Sequence, residues 1–150
     1  MREAISISIS KMRANFGGPF GSVVVKSGRI VGSGWNQVTS TNDPTAHAEI
    51  CAIRKACRRL KTFRLDDCDL YTSCEPCPMC LSAIYWARIR SVYYGNTRKD
   101  AARIEFADDF IYREISTPIR RRQIPMKQLL RNEALAAFKE WEAKADKIRY

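Results

Sequence analysis

The feature that most constrains this chain is a cluster of three cysteines, Cys74, Cys77 and Cys80, within seven residues. The other three cysteines are scattered at positions 51, 57 and 68. An even number of cysteines can indicate disulfides, but a chain of 150 residues with no export signal has little need of them. Thiols spaced this closely, with prolines between them, suit metal ligation better. We therefore expect reduced thiols, some of which bind a metal.

His47 is the only histidine in the chain, and it precedes Glu49 by two residues. A lone histidine is usually a packed or surface residue, but one imidazole and two thiolates make a three-ligand zinc set. Three protein ligands and a fourth position left to water are typical of a catalytic zinc. A closed structural site needs another ligand. Cys74 could supply this ligand, but the proline-containing turn between Cys74 and Cys77 favours a Cys74 thiol that points away from the metal.

Both groups of ligands are predicted at the first turn of a helix. Asp43-Pro44 is typical of a helix start, and Pro78 opens the next predicted helix. The unpaired N–H groups of a first turn favour anions and lower thiol pKa values. Glu49 points in a different direction from His47, and a carboxylate beside a zinc-bound water can take its proton. Glu49 is therefore the predicted catalytic residue.

A family resemblance rests on three segments, NDPTAHAE at 42–49, LYTSCEPCPMC at 70–80 and AIYWAR at 83–88. Their His-x-Glu and Pro-Cys-x-x-Cys pattern is the signature of zinc deaminases. From Gly17 to the C-terminus the chain resembles the cytidine-deaminase superfamily. The segment FADDF at 106–110 and the terminal Tyr150 resemble the bacterial-type guanine deaminases of that fold in particular.

The resemblance implies an α/β fold of three layers, α/β/α, with a mixed five-stranded sheet. It implies that one zinc ion is bound by His47, Cys77 and Cys80, and that Glu49 transfers protons. The activity that it implies is hydrolytic deamination of guanine to xanthine and ammonia. It also implies a homodimer, in which the C-terminal segment could be exchanged between subunits.

Substrate binding is assigned by the same resemblance to Asn36, Asp108 and Tyr150. The edge of guanine carries N–H donors, for which a buried carboxylate such as Asp108 is the natural acceptor. Apolar walls for a flat base could come from three aromatic residues, although core packing is the favoured interpretation of each: Phe20, Trp86 and Phe110.

The rest of the chain predicts alternating helices and strands in one domain, residues 1–150. Residues 1–16 fit a strand or a helix. Strands are predicted at 20–26, 29–35, 69–73, 91–94 and about 123–129, and helices at about 46–59, 78–87 and 132–145. The segment from about 131 to 150 is expected to act as a lid over its own or a partner's site, or as a dimer element.

The formal net charge of +10 is compatible with nucleic-acid binding and with an ordinary soluble surface. Basic runs at 58–61 and 120–122 leave a tRNA adenosine deaminase of the same fold as an alternative. Asp108 argues against it, because N1 of adenine is an acceptor. Lesser alternatives are a deaminase of guanosine, cytidine or another small substrate, and a non-enzymatic zinc module that binds nucleic acid.

The N-terminal ten residues lack the apolar run of a signal peptide, and no stretch approaches the ~18 apolar residues of a membrane span. We therefore expect a cytoplasmic protein that does not bind membranes. The predicted C-terminal helix has an apolar stripe of Leu135, Phe138 and Trp141, which either packs on its own core or forms a dimer surface.

Overall fold

The computed structural model describes residues 1–106 and 108–149, and the chain divides into two compact units, Met1–Ile111 and Tyr112–Tyr150. The first unit contains, in chain order, α1 (Arg2–Arg13), β1 (Gly21–Lys26), β2 (Arg29–Trp35), α2 (Val38–Thr41), α3 (Ala48–Leu60), β3 (Cys68–Cys74), α4 (Pro78–Trp86), β4 (Ser91–Asn96), α5 (Arg98–Ala102) and the start of α6 (Asp109–Ser116). The second contains the rest of α6, a 3-10 turn at Ile119–Arg121 and α7 (Arg131–Ala143).

The N-terminal segment is a helix, so the alternation of Ile and Ser does not form a strand. Ala4 and Ser8 are the buried residues of α1, while Ile5 and Ile9 stay 40% exposed. The small side chains face β1 at Gly21, where an added Cβ would lie 2.3 Å from the Ala4 carbonyl oxygen. Close backbone approach therefore decides which face of α1 packs on the sheet.

The described strands form one mixed sheet in the order β2-β1-β3-β4. β1 pairs antiparallel with both β2 and β3, and β3 pairs parallel with β4 across the α4 connection. The predicted hairpin of β1 and β2 is confirmed. The carboxyl ends of β3 and β4 lie together, with Cys74 opposite Asn96.

Helices cover both faces of this sheet, as the α/β/α expectation requires. α1 lies on the face of Gly21, and α3 lies on the opposite face, against Gly32 and Gly34 of β2. Val24, Ala52 and Leu70 are fully buried in the core between α3, α4 and the sheet. A Cβ at Gly34 would lie 2.2 Å from the Ala48 carbonyl oxygen. This close contact fixes the first residue of α3 on the sheet.

The expectation of five strands is wrong for the described residues, which contain four. The fifth was predicted at 123–129, but that segment has no regular structure. Pro125 has no N–H to donate to a ladder. Ile124 and Leu129 are 78% and 81% exposed, so the apolar pattern does not correspond to a buried face.

The predicted C-terminal helix is present as α7. Phe138 and Trp141 on this helix are 73% and 44% exposed. None of the helices in the described ranges is long and apolar enough to cross a bilayer.

Candidate active site

The segment before α3 places His47 at the N-cap of that helix. The Asp43 carboxylate accepts hydrogen bonds from the Thr45 N–H at 2.8 Å and the Thr45 hydroxyl at 2.6 Å. The helix therefore begins at Ala48, later than the predicted start at Asp43-Pro44, because the Asp43 side chain closes a local turn instead of capping the helix. His47 keeps an extended backbone, with φ −69° and ψ 157°, at the point where the helix begins.

The second group of ligands lies at the start of α4. Cys77 is the N-cap residue, Pro78 occupies the first turn, and Cys80 is one turn further along. Proline is well suited to this place because its fixed φ matches the helix and its missing N–H would have no partner there. Both sulfur atoms thus lie at a helix N-terminus, where the macrodipole stabilises thiolates.

These two helix starts bring one nitrogen and two sulfur donors together. The ligand atoms of His47, Cys77 and Cys80 all lie within 4.8 Å of one another. The His47 Nδ1 atom is 3.4 Å from the Cys77 Sγ and 3.5 Å from the Cys80 Sγ. A set of one imidazole and two thiols fits zinc, and three protein ligands are the number found in catalytic zinc sites.

The protonation of the donor set is strongly coupled. A hydrogen bond donated by the Cys80 thiol to the Cys77 sulfur lowers the pKa of Cys77 to about 4. The same interaction, together with burial, raises the pKa of Cys80. The hydrogen bond to Cys77 raises the pKa of His47. The two sulfur atoms and the imidazole thus compete for protons at one point, the position that a divalent cation would take.

Cys74 lies outside this donor set, as the sequence favoured. Its Sγ donates to the Thr97 carbonyl oxygen at 3.7 Å. Burial raises the pKa of the Cys74 thiol to about 11, so it stays neutral at physiological pH. All six cysteines are free thiols.

Glu49 lies beside the donor set with its carboxylate buried, and the residue is 6% exposed. Its Oε1 accepts a hydrogen bond from the Thr72 hydroxyl at 3.2 Å, while its Oε2 is 3.5 Å from the Cys80 Sγ. Burial raises the pKa of the Glu49 carboxyl. Sequence reasoning missed Thr72; its only signal was a hydroxyl two residues after Leu70, on the buried face of β3.

A cavity of about 420 Å³ opens beside these residues. His47, Glu49 and Cys77 line it, together with Asn36 and Asp108 of the predicted substrate set. Tyr150, the remaining member of that set, lies outside the described residues. Its role stays a prediction.

Asn36 and Asp108 present different chemistry to the cavity. The Oδ1 of Asn36 accepts from the Gly18 N–H at 3.4 Å and the Val38 N–H at 3.3 Å, which leaves the amide nitrogen as the group able to donate. Partial burial raises the pKa of Asp108, and the nearby Cys77 thiolate adds to this effect. Asp108 is thus an acceptor in a partly desolvated place.

Of the three aromatic residues considered for a wall, Phe20 lines the cavity, and Phe106 was not considered. Phe106 packs against Phe20 edge-on with the ring centroids 4.9 Å apart. Trp86 and Phe110 are 68% and 50% exposed and are not among the described residues that line the cavity. The FADDF segment was the signal for Phe106, although only Asp108 and Phe110 were singled out from it.

Comparison with known proteins agrees with this geometry. Residues 1–96 match the cytidine and deoxycytidylate deaminase zinc-binding region. The guanine deaminase of Bacillus subtilis is 51% identical over 150 residues, which cover 100% of this chain and 96% of that protein. This chain belongs to the cytidine and deoxycytidylate deaminase family. The family relationship confirms the resemblance and a zinc-dependent aminohydrolase, in place of a non-enzymatic zinc module.

Solved structures of deaminases give the same result. The crystal structure of Bacillus subtilis guanine deaminase has a TM-score of 0.97 and 52% identity, and covers 99% of this chain and 95% of that one. A guanine deaminase from Nitrosomonas europaea has a TM-score of 0.68 at 26% identity, covering 95% and 82%. A relative found by sequence alone belongs to a different group of deaminases: the tRNA-specific adenosine deaminase of Buchnera aphidicola is 44% identical over 88 residues, or 59% of this chain and 58% of that protein.

Replacement of single cysteines separates ligands from neighbours. We expect Cys77→Ser to lose zinc, because a hydroxyl is a poor replacement for a thiolate, and Cys74→Ser to retain about one zinc ion per chain. Elemental analysis of the purified, dialysed variants measures both. Equal zinc loss in the two variants would mean that Cys74 belongs to the metal site.

Proposed function

We infer that this protein is a zinc-dependent guanine deaminase that hydrolyses guanine to xanthine and ammonia. The observation that carries this inference is the end-to-end similarity to a guanine deaminase, which includes the segment after residue 96 with Asp108 on the cavity. The match to the tRNA-specific enzyme of Buchnera aphidicola covers little more than half of the chain. Zinc-dependent deamination is common to the guanine deaminases and the tRNA-specific adenosine deaminases. The segment after residue 96 is therefore what distinguishes their substrates.

The donor set positions the reaction. His47, Cys77 and Cys80 would hold the zinc ion, which as a Lewis acid would make a water molecule nucleophilic at neutral pH. The three ligands come from two helix starts that are anchored on the sheet. They therefore hold the reacting centre at one end of the cavity, beside Glu49.

Glu49 moves the protons. Its Oε1 is held by Thr72, so its Oε2, on the side of the donor set, is the atom that accepts a proton from the attacking water. Glu49 passes this proton to a ring nitrogen of the base as the hydroxyl bonds to C2. It then takes the proton of that C2 hydroxyl and gives it to the amine, so that the C2–N bond breaks and ammonia leaves. The oxygen remains on C2 as a carbonyl and gives xanthine. A raised pKa suits a carboxyl that must both accept and donate.

Guanine is recognised through its hydrogen-bonding edge and its flat faces. The Asp108 carboxylate accepts from the N–H groups of the base, and the Asn36 amide nitrogen donates to an acceptor atom. Phe20 and Phe106 provide apolar surface for the ring. An adenine ring presents an acceptor at N1, which Asp108 would repel. The tRNA adenosine alternative is therefore disfavoured at this position.

Glu49→Gln tests the proposed chemistry. We expect wild-type protein to convert guanine to xanthine, and E49Q to lose at least about 100-fold in kcat because an amide cannot transfer the proton. Zinc should remain bound in E49Q. Xanthine is followed by its absorbance and ammonia by a coupled assay, with the exposed Glu3→Gln as control. Wild-type activity in E49Q would contradict the role of Glu49, and inosine formation in tRNA without xanthine would favour the alternative.

Asp108→Asn tests the recognition of guanine. The amide retains the shape of Asp108 but has a weaker acceptor, so we expect KM for guanine to rise about tenfold or more. The matched control is Asp109→Asn, whose side chain is exposed and does not line the described cavity. Steady-state kinetics with guanine gives KM for both variants. An unchanged KM in D108N would show that Asp108 does not take part in recognising guanine.

The second part of the proposal is that the protein forms a homodimer. The segment from about 131 to 150 is then either a dimer element or a lid that closes its own subunit's site or its partner's. The side chains of Phe138 and Trp141 on α7, exposed in the single chain, support it. We expect sedimentation velocity to show a dimer that Phe138→Glu and Trp141→Glu weaken. A wild-type monomer at micromolar concentration would overturn this part. The cytoplasmic location stays a prediction.

A further inference from the structure

Glu75 joins the metal-ligand loop to the following helix. It lies between Cys74 and Cys77, and its Oε2 accepts a hydrogen bond from the backbone N–H of Arg98 at 3.0 Å. Its own N–H donates to the Asn96 carbonyl oxygen at 2.8 Å. The loop that carries Cys77 and the segment that begins α5 are therefore bonded to each other directly.

The Arg98 N–H is a donor that α5 cannot satisfy by itself. Arg98 is the first residue of the helix, where N–H groups have no intrahelical partner. Thr97 and Asp100 form a capping box, in which the Asp100 carboxylate accepts from the Thr97 N–H at 2.9 Å. The Glu75 carboxylate adds a charge-assisted bond from outside the helix. The start of α5 is thus held both by its own cap and by the metal-ligand loop.

The segment that follows α5 carries one wall of the cavity. Ala101 lines the cavity, and its carbonyl oxygen accepts from the Phe106 N–H at 3.1 Å. The Phe106 ring packs against Phe20, and Asp108 lies two residues further along. A shift of α5 relative to the loop would therefore displace this wall.

We propose that Glu75 is a positioning residue, whose carboxylate fixes α5, and with it Phe106 and Asp108, relative to the zinc ligands. The proposal rests on the proposed function, since it assumes that guanine occupies the cavity. It assigns Glu75 to the geometry of substrate binding and leaves proton transfer with Glu49. Loss of the link should therefore raise KM far more than it lowers kcat.

A competing explanation is that Glu75 contacts the base itself, because it also lines the cavity. The two roles need different properties of the side chain. Positioning needs an oxygen that accepts from the Arg98 N–H, which glutamine retains. Direct recognition of guanine N–H donors by charge needs the carboxylate, which glutamine lacks. The pair Glu75→Gln and Glu75→Ala therefore separates them.

Steady-state kinetics with guanine should show a split between these variants. We expect E75A to raise KM about tenfold with kcat within about threefold of wild type, and E75Q to stay within about threefold in both. Zinc content and melting temperature are measured in parallel. Equal impairment of E75Q and E75A would overturn the positioning role, as would loss of zinc or a fall in kcat at unchanged KM.

Asp100→Ala approaches the same link from the helix side. Asp100 does not line the described cavity, so it cannot act by touching the base, yet its replacement removes the carboxylate that accepts from the Thr97 N–H in the capping box of α5. We expect a rise of KM in the same direction as in E75A. Arg103→Ala is the matched control, because Arg103 pairs with Asp100 at 3.1 Å without taking part in the capping box. An unchanged KM in D100A would contradict the proposal.

Hydrogen exchange keeps this test separate from the substrate assignment. We expect amides in residues 98–106 to exchange faster in E75A than in wild type and E75Q, whether or not guanine is the substrate. If wild type makes no xanthine while this difference is present, the proposed function fails and the link stands. If wild type makes xanthine and exchange is the same in all three proteins, the link fails alone.

Discussion

The meeting of two helix N-termini at one end of the sheet is the constraint on which the rest of the site depends. His47 and Cys77 both occupy N-cap positions with extended backbone, so their side chains leave the helix axis and can converge. The first residue of α3 is held on β2 by a contact that only glycine at Gly34 permits. Burial of Glu49 follows from that placement, since it lies in the first turn of α3.

The metal-ligand set could be predicted from sequence because its residue types are distinctive. Cys77 and Cys80 are three residues apart on a helix start, and the single histidine left no choice of partner. Thr72 could not be found this way, because threonine is a common residue and only the fold brings its hydroxyl to Glu49. The Asp43-Pro44 pair was misleading for a related reason. An aspartate can cap a helix or close a turn, and only the packing of α3 on β2 decides between them.

The fold was predictable to the extent that its pattern reflects burial. The hairpin and α7 were found, and the layers follow from the resemblance. The strand expected at 123–129 failed because alternating apolar residues indicate a buried face only when a neighbouring strand accepts them. Ile124 and Leu129 are exposed in the chain, and Pro125 interrupts any ladder. The hydrophobic pattern of a segment does not by itself indicate what packs against its apolar residues.

Net charge gives little guidance to the substrate, because the surface and the cavity have opposite character. The chain carries +10, whereas the described lining includes the carboxylates of Glu49, Glu75, Glu105 and Asp108 beside Arg98. Carboxylates near the cavity repel phosphate. Burial first, and then the negative charges nearby, raise the pKa of Asp108, and both make a further negative charge unfavourable there. A neutral base avoids that repulsion and offers N–H donors to the same oxygens. The acidic lining therefore favours a free base over a nucleotide. The basic runs at 58–61 and 120–122 do not line the described cavity, so they do not change this preference.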